Sequence, residues 1–236
     1  IRVLGTNFGG GSHYLCGFGD GNIVNSTFMT GGTPEEVRCT SPSRGNSKRV
    51  PLEVSLNGQN FSDSGTLYTY YQPPRPVSLC PSSGPVNGET TVRIHGRYFA
   101  LGSDYRVSVT SNMSDNIESF PASSSMVRAL YDGDSASTSG LVSMRFQTPT
   151  LPFAGSTGVR VSLNAQQFSP SPGVVFNAYA HPHVSRISPS CGPIEGDTSV
   201  AVSGVNFLGG SHYLASWARN VTVNATADGD LECRIA

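Results

Sequence analysis

The sequence predicts an all-β protein built from tandem two-layer sandwiches, and three observations carry that prediction. Only 13% of the 236 residues are charged, about half the roughly 25% usual for a soluble globular protein. The chain is instead punctuated by 27 Gly, 16 Pro, 34 Ser and 17 Thr, the composition of many short strands joined by turns. No 12-residue stretch free of Gly and Pro places apolar residues at i, i+3, i+4 and i+7, so helix signals are nearly absent. Finally, the chain repeats itself at intervals close to the size of one sandwich.

Three segments match one another: Val3-Leu4-Gly5-Thr6-Asn7-Phe8, Arg93-Ile94-His95-Gly96-Arg97-Tyr98-Phe99 and Val202-Ser203-Gly204-Val205-Asn206-Phe207. Each is an alternating strand that runs into Gly-x-x-Phe. Phe8, Phe99 and Phe207 are therefore expected in the core, worth roughly 1.5–3 kcal/mol each when buried. Pro81-Ser82-Ser83-Gly84-Pro85-Val86-Asn87-Gly88 precedes the second segment and Pro189-Ser190-Cys191-Gly192-Pro193-Ile194-Glu195-Gly196 the third. The spacing from Gly84 to Gly96 equals that from Gly192 to Gly204. Gly84 and Gly192 are expected to shape a tight turn.

Val54-Ser55-Leu56-Asn57-Gly58-Gln59-Asn60-Phe61-Ser62 returns as Val161-Ser162-Leu163-Asn164-Ala165-Gln166-Gln167-Phe168-Ser169. Asn57-Gly58 reads as a two-residue type I′ hairpin. Ala165 replaces the glycine in the second copy, where positive φ is costlier. The aromatic strand Leu67-Tyr68-Thr69-Tyr70-Tyr71 has a weaker counterpart at Val174–Tyr179, and Gly-Gly-Ser-His-Tyr-Leu occurs at both 10–15 and 209–214.

Gly96 and Gly204 are 108 residues apart, whereas Gly5 and Gly96 are 91 apart. The second copy therefore carries about 16 extra residues, placed in the Ser-rich stretch 111–140. A period near 100 residues with about seven short strands fits an immunoglobulin-like β-sandwich. The boundaries expected are 1–74 for a first domain lacking its opening strand, 75–182 for a complete second domain, and 183–236 for a third lacking its last strands. Incomplete sandwiches expose unpaired backbone, so both ends are expected to continue in a longer chain or to be completed by a neighbouring molecule. Ile1 at the start reads as a processed product or a window cut from something longer, with no signal-peptide pattern.

The pattern Pro-x-x-Gly-Pro-x-x-Gly-x-Thr-x-Val-x-[Ile/Val]-x-Gly-x-x-Phe, followed by Val-Ser-x-Asn-Gly-x-x-Phe-Ser and an aromatic strand, resembles the IPT/TIG domain. That immunoglobulin-like fold is shared by plexins and Rel-type transcription factors. The resemblance implies binding and spacing modules, and tandem copies favour the extracellular members of the family. It also places Cys16 and Cys39 on facing strands as the family's usual disulfide, a bond worth about 3 kcal/mol in the chain-entropy model. In the second copy Phe146 replaces Cys39. In the third, Cys233 matches Cys39 but Ala215 stands where Cys16 would, which leaves Cys191 as the possible partner of Cys233. Cys80 has no cysteine in its own domain; a free thiol, an intermolecular bond and a more distant partner stay open.

Five Asn-x-Ser/Thr sequons, at Asn25, Asn60, Asn112, Asn220 and Asn224, mark possible N-linked glycans. Trp217, the single tryptophan, is read as a core residue in preference to an interface anchor.

Catalysis is not expected. There is no Gly-x-Ser-x-Gly elbow, no phosphate loop entering a helix, and no Cys-x-x-Cys pair. His13 and His212 share a repeat position and read as turn residues. His181 and His183 supply two imidazoles without a third ligand. Asp132-Gly133-Asp134 and Asp228-Gly229-Asp230 lack the oxygen donors of a calcium loop. No catalytic, cofactor or metal residues are therefore assigned. A net charge of -1 disfavours nucleic acid, and no apolar run is long enough for a membrane span. The partners expected are other protein chains, either copies of the same chain in a filament or neighbouring domains of the same chain, and covalent glycans. The leading expectation is a non-catalytic structural or adhesive module of a long extracellular glycoprotein. The alternatives are the ectodomain stalk of a plexin-like receptor and an accessory module of a secreted polysaccharide-degrading enzyme; the last needs exposed aromatics, for which Tyr68, Tyr70 and Tyr71 are available.

Overall fold

The computed structural model describes residues 1–111, 124–133, 140–170, 173–217, 221–228 and 230–235; at 111, 217, 221–225, 227–228 and 230–235 only the backbone is described. Every regular element among the described residues is a strand. The chain forms two compact units, Ile1–Gln72 and Pro73–Ala236.

The first unit contains β1 (Arg2–Gly5), β2 (Leu15–Gly17), β3 (Ile23–Met29), β4 (Glu35–Cys39), β5 (Lys48–Pro51), β6 (Glu53–Ser55) and β7 (Leu67–Tyr70). One sheet has the order β1-β4-β3-β2-β6, and β5 pairs with β7. β3 changes partner midway: Ile23–Asn25 lie beside β2, and Ser26–Met29 beside β4. A single strand thereby supplies both layers. Cys16, Phe18, Val37, Cys39, Val50, Leu52 and Val54 are buried between them.

The second unit opens with β8 (Arg75–Cys80), β9 (Ser83–Pro85), β10 (Thr91–Arg97), β11 (Arg106–Ser111), β12 (Ser124–Tyr131), β13 (Val142–Gln147), β14 (Gly155–Ser162) and β15 (Val174–Tyr179). Their order is β8-β10-β13-β12-β11-β14-β15-β9, so β8 and β9, consecutive in the chain, close opposite ends. β12 repeats the switch of β3, pairing with β11 up to Arg128 and with β13 from Ala129. Alternation then sorts each strand. Val92 and Ile94 of β10 point into the core with Met144 and Phe146 of β13, while Thr91, Arg93 and Arg97 face solvent.

Next come β16 (His183–Ser188), β17 (Thr198–Val205), β18 (Tyr213–Trp217), β19 (Val221–Asp228) and β20 (Asp230–Ile235), in the order β16-β17-β20-β19-β18.

Three local expectations are revised. Gly84 is not a turn residue: it lies in β9, paired in parallel with Ala178. A Cβ there would stand 2.5 Å from Thr90 Oγ1 and 2.9 Å from Phe176 Cζ, so close approach is what demands glycine. Gly192 meets Thr198 Oγ1 in the same way, at 2.5 Å. The Asn57-Gly58 turn is not type I′, because only Gly58 has positive φ (76°), and the loop spans Ser55 to Phe61. Asn57 Oδ1 instead accepts from the amides of Gln59 (3.0 Å) and Asn60 (2.9 Å). Asn164 does the same for Gln166 and Gln167, both at 3.1 Å, and Ala165 adopts φ 59°. Phe99 and Phe207 are buried as expected, but Phe8 is only half-buried. β1 is an edge strand, whereas β8 and β16 flank β10 and β17.

Candidate functional site

The candidate site is a joint within the second unit. β15 ends at Tyr179 and β16 begins at His183, leaving a short connector whose Pro182 restricts rotation. On one side of it stands Ser83, at the start of β9; on the other, Ser211, in the Gly-Gly-Ser-His loop before β18. The Ser211 amide donates to Ser83 Oγ at 2.7 Å, and the Ser83 hydroxyl donates to Ser211 Oγ at 2.9 Å. Asn206 Nδ2 adds a bond to the His181 carbonyl oxygen at 2.9 Å. Asn206 reaches it from the left-handed region, at φ 65°. Gly209, at φ 91°, lies against Tyr179. The remaining space is a cavity of about 220 Å³ bordered by Tyr179, Pro182, Phe207 and His212. These bonds tie the connector to the strands on either side of it, and His212 Nδ1 lies 3.3 Å from Ser211 Oγ.

The loop itself is held by a residue that the sequence reading passed over. Tyr14, Tyr105 and Tyr213 each accept, at the phenol oxygen, the amide of the glycine three residues earlier, at 2.9, 3.0 and 3.2 Å. The signal was present as Gly-Ser-x-Tyr in all three copies, but the longer hexapeptide, found in two of them, drew attention away from it.

Cys16 and Cys39 come together in the core of the first unit, Cys39 donating to Cys16. That hydrogen bond draws the Cys16 thiol downward in pKa, and the same bond, with burial, pushes Cys39 up. Cys80 and Cys191 are exposed. The side chain of Cys233 lies outside the described residues; its backbone pairs with Val200. Asn25, on β3, and Asn60, beside the Asn57 loop, are both exposed. Asn112 and Asn220 lie outside the described residues, as do the side chains of Asn224 and Trp217.

The Asp132 carboxylate is shared by Arg145 at 3.2 Å and Arg93 at 3.7 Å. His13 packs on Gly58. Glu36 accepts from Arg2 at 2.7 Å and from Arg38; these hydrogen bonds, Arg2 first, hold its carboxyl at about 2. Tyr68 and Tyr70 are half-buried, meeting Phe18 edge-on with centroids 5.4 and 6.5 Å away, so they form no open platform for sugar stacking. Among the described residues no three His, Cys, Asp or Glu side chains gather as a metal site.

The family model of the IPT/TIG domain matches residues 74–176 and 182–235. Plexin-A3 of Rattus norvegicus is 26% identical over 108 residues, covering 45% of this chain and 6% of that protein. A structure of the full extracellular region of Plexin A4, domains 1 to 10, superposes on 99% of this chain and 19% of its own, at 16% identity and a TM-score of 0.52. A second structure of that region, with domains 1 to 8, aligns over 98% of this chain and 28% of its own, at 15% identity and a TM-score of 0.40. The chain thus spans a small fraction of the length of these relatives. With its recurring Gly-x-x-Phe sandwiches, it belongs to the IPT/TIG domain family, as a tandem array of an extracellular or cell-surface protein.

Proposed function

We propose that the chain is part of the ectodomain stalk of a plexin-like cell-surface receptor, a non-catalytic spacer that holds binding surfaces at a set distance and angle. The observation that carries this reading is the pinned joint: a Pro-containing connector bridged by Ser83–Ser211 and Asn206–His181. A stalk needs stiffness between bodies more than it needs a pocket. The 26% identity to a plexin over 108 residues favours a receptor over the coat or filament that the sequence reading put first.

The same reading includes a Cys16–Cys39 disulfide formed in an oxidising compartment, N-linked glycans at the five sequons, Cys191–Cys233 as a second bond, and an unpaired or intermolecular Cys80. The domain limits 1–74, 75–182 and 183–236 belong to it as well.

The test is fractionation of intact cells that carry the native full-length protein. A stalk is digested by external protease, survives a high-salt wash and leaves the membrane only with detergent. Release by salt as a polymer would replace this reading with the coat.

A further inference from the structure

The chain's balanced total charge conceals a local excess. On the second sandwich, β10 turns Arg93 and Arg97 to solvent. Register places Arg145 of β13 directly opposite Arg93, and Arg75 of β8 directly opposite Arg97. Leu130 of β12 stands opposite Arg145, so Arg128, two residues earlier, shares that face. β8, β10, β12 and β13 contain no Asp or Glu. Among the described residues, Asp132, directly after β12, is the carboxylate that pairs with these arginines; it lies within reach of Arg93 and Arg145, whose side chains remain 56% and 51% exposed. Arg97 and Arg128 are exposed and pair with no carboxylate among the described residues, and Arg75 stacks on Tyr98, with its guanidinium 6.0 Å from the ring centre.

The face is also concave. A groove of about 700 Å³ is bordered by Arg128, Leu130 and Arg145 together with Thr91 and Gln147. Arg93 and Arg97 lie about 13 Å apart along one strand, and neighbouring strands are about 4.8 Å apart. The guanidinium groups therefore form a spread row, not a single anion pocket.

We propose that this face binds a sulfated polysaccharide chain. Guanidinium presents a planar fork that matches the paired oxygens of a sulfate, and Thr91 and Gln147 suit sugar hydroxyls. A protein partner of comparable affinity is disfavoured because the face has no large aromatic anchor at its centre, where binding energy concentrates. The extracellular setting makes sulfate, not nucleic-acid phosphate, the relevant oxyanion. The proposal stands independently of the stalk reading and can fail without it.

The test applies the full chain to immobilised heparin at roughly physiological ionic strength, about 0.15 M, with desulfated heparin and poly-glutamate as parallel probes. Retention is expected on heparin alone and should fall steeply as salt rises. Arg97→Gln combined with Arg128→Gln removes two guanidinium groups that make no ion pair here, and should weaken binding about tenfold. It should also lower the slope of log affinity against log salt by roughly 0.7–0.9 per arginine, as for other linear polyanions. Arg186→Gln, exposed on β16, should leave binding unchanged, and matching melting curves would confirm the fold of each variant. Equal retention on desulfated heparin, or unchanged affinity in the double variant, overturns the proposal. Preference for poly-glutamate overturns it in favour of an acidic protein partner.

Discussion

The ring of Phe207 lies directly on Gly204: a Cβ added there would stand 2.7 Å from Phe207 Cζ and closer still to the carbonyl oxygen of His183. In the second sandwich Gly96 is clamped in the same way between the Phe99 ring and the Arg75 carbonyl, whereas the three atoms nearest a Cβ on Gly5 all belong to the Phe8 ring. Gly96→Ala should therefore destabilise its unit by about 3 kcal/mol or more, because the obstructing atoms include backbone. Gly5→Ala should cost about 1–2 kcal/mol, since a half-exposed ring can move. Gly45→Ala, in open space, should fall within about 0.5 kcal/mol of zero. Urea unfolding of the variants checks the order.

Ala165 holds φ 59° where the first copy uses Gly58. A left-handed L-residue costs roughly 1–2 kcal/mol, partly offset by the unfolded-state entropy of glycine. Ala165→Gly should thus stabilise by roughly 0.5–1 kcal/mol. Asn164→Ala should cost about 1–3 kcal/mol, because two loop amides lose their acceptor. Thermal melts read both.

Glu36 is held at about 2 by Arg2 and Arg38. Because its folded value lies below that of the unfolded chain, the contribution to stability is complete above the ordinary carboxylate range near pH 4.5 and is lost as the pH falls toward 2. An acid titration of unfolding should show the first unit weakening across that interval. Glu36→Gln should flatten the slope there and leave it unchanged near neutrality.

If Cys16 and Cys39 are joined in the native protein, a non-reducing peptide map should recover them as one linked peptide. Reduction should then lower the stability of the first unit by about 3 kcal/mol. Cys16→Ser should do more harm than reduction alone, since it places a hydroxyl in the core. Two separate peptides would leave the pair as buried thiols.

Much of the fold was legible because repetition supplies its own control. Gly5, Gly96 and Gly204 each precede a phenylalanine by the same interval, and steric necessity at that pair is local enough to be read from spacing. Gly84 was misread because Gly-Pro signals a turn as readily as a close approach, and only the neighbours Thr90 and Phe176 distinguish the two. Asn57-Gly58 misled for a similar reason: the side chain of Asn57, not a mirror-image backbone, builds the loop. The joint was hidden because Ser83 and Ser211 lie 128 positions apart and belong to different repeat elements. The arginine face was hidden because net charge is a sum, and Arg75, Arg93, Arg97, Arg128 and Arg145 come from four strands.

β15 leaves the second sandwich alongside β9 and runs the same way. When such a chain is stretched from its ends, the entering strand is drawn backward and the departing one forward, so the two slide past each other. The bonds from Asn177 to Ser82 and from Val86 to Tyr179, each 2.9 Å, then carry the load together instead of opening in sequence. Rupture would require their simultaneous loss, which gives the parallel β9–β15 pair the character of a tension-bearing clasp, on a sheet whose antiparallel neighbours could be peeled one bond at a time.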